Sequence, residues 1–129
     1  MAELKTKNQN EFSTIEELVL EARNGRMLVL VDNKDRENGG DLIIPAQMVT
    51  PDSINFMAKY GRGLICLSLS SGRIDELGLS AMERRNPGKL DTAFTESIEA
   101  RRDVTTGISA ADRAKTIQIA IDKNSSSND

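Results

Sequence analysis

Ten consecutive residues, Asp32, Asn33, Lys34, Asp35, Arg36, Glu37, Asn38, Gly39, Gly40 and Asp41, concentrate four carboxylates, an arginine and two adjacent glycines. Carboxylate oxygens at that density suit a hard cation, and a guanidinium among them suits a polyol phosphate. Asp, Asn and Gly are equally the residues of an ordinary solvated turn, so spacing alone leaves the two readings level. A second stretch, residues 104–113, sets Thr105, Thr106 and Ser109 just ahead of a helical pattern. Hydroxyls beside a helix N-terminus can accept a phosphate, and a plain capping turn is the competing account.

Other chemistries are excluded by what the chain lacks. It contains no histidine, which removes Ser-His-Asp and Cys-His nucleophilic catalysis and zinc-histidine sites together. The run Gly107-Ile108-Ser109-Ala110 hints at a nucleophile elbow but has no triad to complete. Asp32 does not open a calcium-binding EF-hand loop, because Lys34 and Arg36 take ligand positions and Glu37 stands where glycine is required. Cys66 is the one cysteine, so no intrachain disulfide forms, which suits a reducing compartment. Flanked by Ile65 and Leu67, it reads more readily as a small apolar residue of a buried strand than as a nucleophile.

The elements that must carry these groups follow from apolar spacing and cap residues. Residues 1–10 are polar and charged and read as a disordered tail. Ser13-Thr14-Ile15-Glu16 resembles a capping box, Ile15, Leu18, Val19 and Ala22 fall at helical spacing, and Gly25 is placed to end that helix. Residues 26–31 and 42–44 read as strands, which puts the acidic stretch at the end of a sheet. Thr50 and Pro51 open a helix running through Ile54, Met57 and Ala58 toward Gly61. A third strand is expected over 64–69, a short helix over 73–77, a basic loop over 84–90 and a fourth strand over 92–99. Ser109 caps a last helix from Ala110 to about residue 122, with Asp112 at its third position, where a carboxylate favours the helix dipole. Residues 123–129 are polar and serine-rich and read as a second disordered tail. Between the tails, residues 11–122 form one domain, with no internal repeat.

Hydrophobic residues make up 38% of the chain and aromatics 3%, with no tryptophan, so the core must be aliphatic. A net charge of −3 offers no basic face, and so few aromatics offer no stacking platform, which excludes nucleic acid as a partner. No apolar run approaches membrane-spanning length and the first ten residues show no signal peptide, so a cytoplasmic protein without membrane contact is expected.

Four blocks in order resemble one family. Asp35-Arg36-Glu37-Asn38 with Gly40-Asp41-Leu42-Ile43 is similar to the signature loop of 3,4-dihydroxy-2-butanone 4-phosphate synthase. Gly63-Leu64-Ile65-Cys66-Leu67, then Thr92-Ala93-Phe94-Thr95 with Ile98-Glu99-Ala100, then Val104-Thr105-Thr106-Gly107-Ile108-Ser109-Ala110-Ala111-Asp112-Arg113 match further blocks at the expected separations. The chain departs from the pattern at Asn33, Lys34 and Gly39, where the family's loop is acidic, so its field is weaker. The family's later Arg-x-Gly-His-Thr-Glu segment, with its metal-binding histidine and phosphate contacts, and a late glutamate have no counterpart here. The resemblance thus covers the first part of the family's domain.

The resemblance implies an α+β fold, a mixed β-sheet flanked by helices, truncated at its C-terminus. It implies a lyase of riboflavin biosynthesis that converts D-ribulose 5-phosphate through an enediolate, losing water and then formate, to L-3,4-dihydroxy-2-butanone 4-phosphate. It assigns metal binding to Glu37, substrate contacts to Arg36, Glu37, Asp41 and Thr106, and catalytic roles to Glu37 and Asp41. Oxygen ligands imply Mg²⁺ or Mn²⁺, and the family's habit implies a homodimer acting on a small sugar phosphate. Cys66 would lie beside the pocket. With the histidine segment missing, the chain is expected to be inactive as it stands. The alternative is a non-catalytic module that keeps the fold's first half and binds a sugar phosphate or a cation, or associates with a partner.

Overall fold

Thr14 opens the first helix through reciprocal bonds: its hydroxyl accepts from the Glu17 amide at 3.3 Å, and the Glu17 carboxylate accepts from the Thr14 amide at 2.9 Å. Two overlapping Ser/Thr-x-x-Glu patterns competed for this role, and the cap falls on Thr14, one residue later than Ser13. The helix, α1, runs Ile15–Arg23 and ends where Gly25 turns to a φ of +73°, a conformation that glycine adopts without a Cβ penalty. The computed structural model describes residues 12–31, 39–82 and 92–129. The expected tail over 1–10, the 84–90 basic loop and residues 32–38 of the acidic stretch lie outside them.

The described residues fall into two compact units that meet in sequence at Ile44 and Pro45. In the first, α1 packs on strand β1, Leu28–Val31, which pairs antiparallel with β2, Gly40–Ile43. The register sets Leu28 opposite Ile43 and Leu30 opposite Asp41. Strand β1 lies within the expected 26–31, whereas β2 begins two residues before the expected 42–44, so Gly40 and Asp41 of the acidic stretch are in the ladder. On α1, Leu18 and Ala22 are half-buried, whereas Ile15 and Val19 are exposed.

The second unit is organised around its longest helix. After a 3₁₀ turn at Ala46–Met48, Thr50 caps α2, Pro51–Phe56, with Pro51 in the first turn. A single π-helical turn, Met57–Gly61, extends α2 and is stopped by Arg62 at a φ of +60° rather than by the glycine before it. Helix α3 spans Ser71–Glu76 and α4 spans Ala110–Ile121, capped by Ser70 and Ser109. Helices α2 and α4 pack together, with the 3₁₀ turn also against α4. Among the described residues the core comprises Val49, Ile54, Leu77, Ala100, Ala114 and Ala120. Its small side chains on α4 let backbones come close, and Ile54, 1% exposed, is its largest fully buried member.

Two expected strands are not strands here. Residues 64–69 have no ladder partner among the described residues, although they keep the alternation of one, with Ile65, Leu67 and Leu69 half-buried and Leu64, Cys66 and Ser68 exposed. Residues 92–99 make only an isolated antiparallel bridge, Thr95 to Ala81, supported by the Met82 amide on the Phe94 carbonyl at 2.9 Å. A strand needs a neighbour to satisfy its amides, and periodicity cannot supply one. The α+β class holds, but the sheet among the described residues is two-stranded and antiparallel, not mixed. Cys66 is exposed, not buried, because the alternation turns its neighbours inward instead.

Residues 123–129, polar enough to read as a tail, are hydrogen-bonded. Arg73 of α3, with a side chain 12% exposed, directs all five of its N–H donors to this end of α4 and to Glu76. Nε donates to the Ala120 carbonyl at 2.9 Å, Nη1 to Glu76 at 2.8 Å and to the Ser125 carbonyl at 3.2 Å. Nη2 donates to the Asp122 carbonyl at 2.7 Å and to the Ser125 hydroxyl at 2.6 Å. The guanidinium thereby satisfies carbonyls that a helix C-terminus leaves open. No helix among the described residues is long and apolar enough to cross a membrane.

Truncating Ile54 to alanine removes the largest fully buried side chain of a core whose other members are Val49, Leu77 and three alanines. Ile54→Ala is expected to lower unfolding free energy by about 2–5 kcal/mol, read as a shift in urea midpoint with little change in slope.

Candidate functional site

The turn that leads into α4 is held from below by one carboxylate. Asp112, 5% exposed, accepts from the Thr105 amide at 3.2 Å, from the Thr105 hydroxyl at 2.7 Å and from the Gly107 amide at 3.1 Å. Its own amide donates to the Ser109 hydroxyl, the N-cap, at 3.0 Å. Among the described residues no cation is paired with it, and hydrogen bonds compensate its burial, which is how a buried carboxylate is tolerated. The Thr105 hydroxyl is the main influence holding the Asp112 carboxyl below the ordinary carboxylate pKa of 3.8. Desolvation works the other way, and the Thr105 and Gly107 amides with the Ser109 hydroxyl add to the lowering.

Thr105 and Gly107 are both tied to this carboxylate, and Thr106 between them is exposed, as Thr105 is in part of its surface. Gly107 has a φ of +77°, a backbone conformation that favours glycine, and the exposed Glu99 side chain lies where a Cβ would stand. Glu99 brings negative charge beside the turn, but it is exposed and water screens it. One helical turn further on, the Thr116 hydroxyl accepts from the Ala100 amide at 3.0 Å and donates to the Asp112 carbonyl at 3.0 Å, fixing the segment that carries Glu99 onto α4.

Of the residues expected to carry chemistry, Arg36 and Glu37 lie outside the described residues. Asp41 stands on β2 opposite Leu30, exposed, in the first unit. Thr106 stands on the turn before α4 in the second unit. Neither Asp41 nor Thr106 lines the two clefts along α4, one bordered by Arg102, Lys115 and Asp122, the other by Leu77, Ile98 and Ile119. Among the described residues no three metal-ligating side chains converge, so these alone do not make a cation site. The sequence placed Asp112 as a dipole-favouring residue and left its hold on the turn unread. A Thr at i−7 and a Gly at i−5 from an N3 aspartate were the available signal.

The family model of 3,4-dihydroxy-2-butanone 4-phosphate synthase matches residues 16–129. The chain belongs to this family. It is 52% identical over 112 residues to the 3,4-dihydroxy-2-butanone 4-phosphate synthase of Pseudomonas aeruginosa, covering 87% of this chain and 31% of that protein. It is 49% identical over 120 residues to the riboflavin biosynthesis protein RibBA of Aquifex aeolicus, covering 92% of this chain and 30% of that one. The chain thus spans under a third of the length of these relatives. Among solved structures, the two-domain synthase RibBX of A. baumannii superposes with a TM-score of 0.82 at 50% identity, over 91% of this chain and 34% of that one. A synthase in complex with two magnesium ions gives 0.86 at 36% identity, over 91% of this chain and 55% of that one. The fold is therefore that of the family over the part it shares.

Because the Asp112 carboxyl titrates lower in the folded chain than in the unfolded one, its contribution to stability is complete above the usual carboxylate range and is lost as pH falls through the lowered folded value. Thermal melts between about pH 6 and about pH 3 should show wild type losing stability on acidification more steeply than Asp112→Asn, which has no such proton to take up. Parallel losses in the two proteins would contradict this.

Proposed function

We propose that this chain carries the signature-loop part of a synthase site that acts on D-ribulose 5-phosphate in riboflavin biosynthesis. The observation that carries the reading is the family match over residues 16–129 together with the unbroken Arg36, Glu37, Asp41 and Thr106 set. In this reading Arg36 binds and orients the sugar phosphate through its planar guanidinium, and Thr106 offers a hydroxyl from a turn that α4 keeps rigid. Glu37 contacts the substrate and supplies an oxygen ligand. Asp41, held by β-pairing on a rigid strand, takes and returns a proton at a substrate carbon or hydroxyl. The five-carbon phosphate divides into the four-carbon L-3,4-dihydroxy-2-butanone 4-phosphate and formate.

Carboxylate donors such as Glu37 and Asp41 suit Mg²⁺ or Mn²⁺ over softer metals, and a solved relative is in complex with two magnesium ions. A divalent ion on neighbouring substrate oxygens would stabilise the negative charge that proton removal creates. The absence of histidine from all 129 residues, with no three-ligand cluster among the described ones, favours a second reading for the chain as it stands. In it, the chain binds a sugar phosphate or a cation without turnover. A homodimer in the cytoplasm belongs to both readings by analogy with the family.

Formate release from D-ribulose 5-phosphate with Mg²⁺ distinguishes the two. The 129-residue chain is expected to turn over at least a hundredfold below about 1 s⁻¹, since single electrostatic contacts in active sites are commonly worth two or three decades. Turnover near about 1 s⁻¹ would establish full catalysis and discard the second reading. Binding at the acidic stretch is tested separately. Mn²⁺ should broaden the amide resonances of Gly40 and Asp41, and Glu37→Gln, which keeps size and removes a charge, should weaken that broadening. Equal broadening in both proteins would leave the stretch as a turn without a cation role.

A further inference from the structure

We infer that Asp112 is a positioning residue for substrate. Its carboxylate sets the conformation in which the turn before α4 presents Thr106, and the inference rests on Thr106 touching the sugar phosphate as proposed above. Three features of the geometry carry it. The Asp112 carboxylate is buried, no cation pairs with it among the described residues, and the three hydrogen bonds it accepts there all come from residues 105 and 107, the two neighbours of Thr106.

Those three bonds do more than cap a helix. An ordinary N3 carboxylate reaches back to the N-cap amide, three residues before it; Asp112 reaches five and seven residues back, past the Ser109 cap, which is satisfied through its own hydroxyl. The cap would survive without the carboxylate, but the turn would not keep its shape. Gly107, at a φ of +77°, has several backbone conformations open to it, and the bond from its amide to Asp112 selects one. From the other side the Glu99 side chain lies over Gly107, and the backbone next to it is held by the Ala100 amide on Thr116 of α4. Thr106 is thus the exposed centre of a turn whose two flanks are both anchored to one helix. Such preorganisation lets a short polar side chain contribute to affinity without first being ordered by the ligand.

The test uses the 129-residue chain, D-ribulose 5-phosphate with Mg²⁺ as probe, and amide resonances of Thr106 and Gly107 as the reporter. Asp112→Asn and Thr105→Val should each bind about tenfold or more weakly than wild type, the loss expected of a charge-assisted hydrogen bond. Thr105→Ser, which keeps the hydroxyl, should bind within about twofold of wild type. Hydrogen-exchange protection of α4 separates positioning from folding: it should be preserved from Ala114 to Ala120 in all three variants. Should Asp112→Asn fail to fold, the Thr105 pair alone decides. Unchanged affinity in Thr105→Val, or a loss of affinity that merely follows loss of α4 protection, would overturn the inference and leave the substrate reading intact. No response of Thr106 and Gly107 to the probe in wild type would overturn both.

Discussion

Backbone amides and carbonyls must find partners, and in the larger unit the side chains and C-terminus of helix α4 supply several that no β-ladder provides. At its N-terminal end Asp112 takes the amides of Thr105 and Gly107, in its middle Thr116 takes the amide of Ala100, and at its C-terminal end its carbonyls receive the Arg73 guanidinium. Long irregular segments are costly to bury because their polar groups lack regular partners. Here residues 100, 105 and 107 are satisfied from the side chains of a single helix, whose C-terminal carbonyls in turn receive Arg73. The unit can therefore keep a small core, dominated by alanine and a few aliphatic residues, because hydrogen bonds rather than apolar volume specify where its loops lie.

That dependence has a consequence for the candidate site. Thr106 stands between two residues that both bond to Asp112, so the shape of the turn depends on one carboxylate of α4. Arg73 plays the matching part at the far end, and replacing its planar five-donor fork by lysine would leave carbonyls unmet even with the charge retained. Asp41 is positioned by different means, a short antiparallel pairing with Leu30 in the smaller unit. A strand pair of four residues a side is marginal in isolation, so its rigidity draws on the packing of α1 against β1.

Helix positions were legible from local chemistry because caps and stops act within a turn of the chain. Thr50 with Pro51, Ser109 and Gly25 all fall where their side-chain chemistry places them. The small departures have the same local origin: Thr14 prevails over Ser13 because its partner Glu17 closes both halves of the box, and Arg62 rather than Gly61 takes the left-handed stop after a π turn. Arg36, Glu37, Asp41 and Thr106 became candidates only through resemblance, since their types and spacing were also those of a turn and a cap.

Strand pairing, burial and the ordering of residues 123–129 were not legible, for one reason. Each depends on partners distant in sequence. Alternation at 64–69 is present in the sequence and in the structure, yet nothing local supplies the neighbouring strand, and the same alternation sent Cys66 outward where its apolar neighbours suggested burial. Serines 125 and 126 look like tail residues until Arg73, some fifty positions earlier, donates to Ser125, and Asp129 closes on Ser126. Composition and short-range chemistry thus set helix ends, family and candidate chemistry. Which carboxylate holds the turn, which guanidinium closes the last helix and which strand finds a mate are long-range hydrogen-bond choices, settled when the chain folds back on itself.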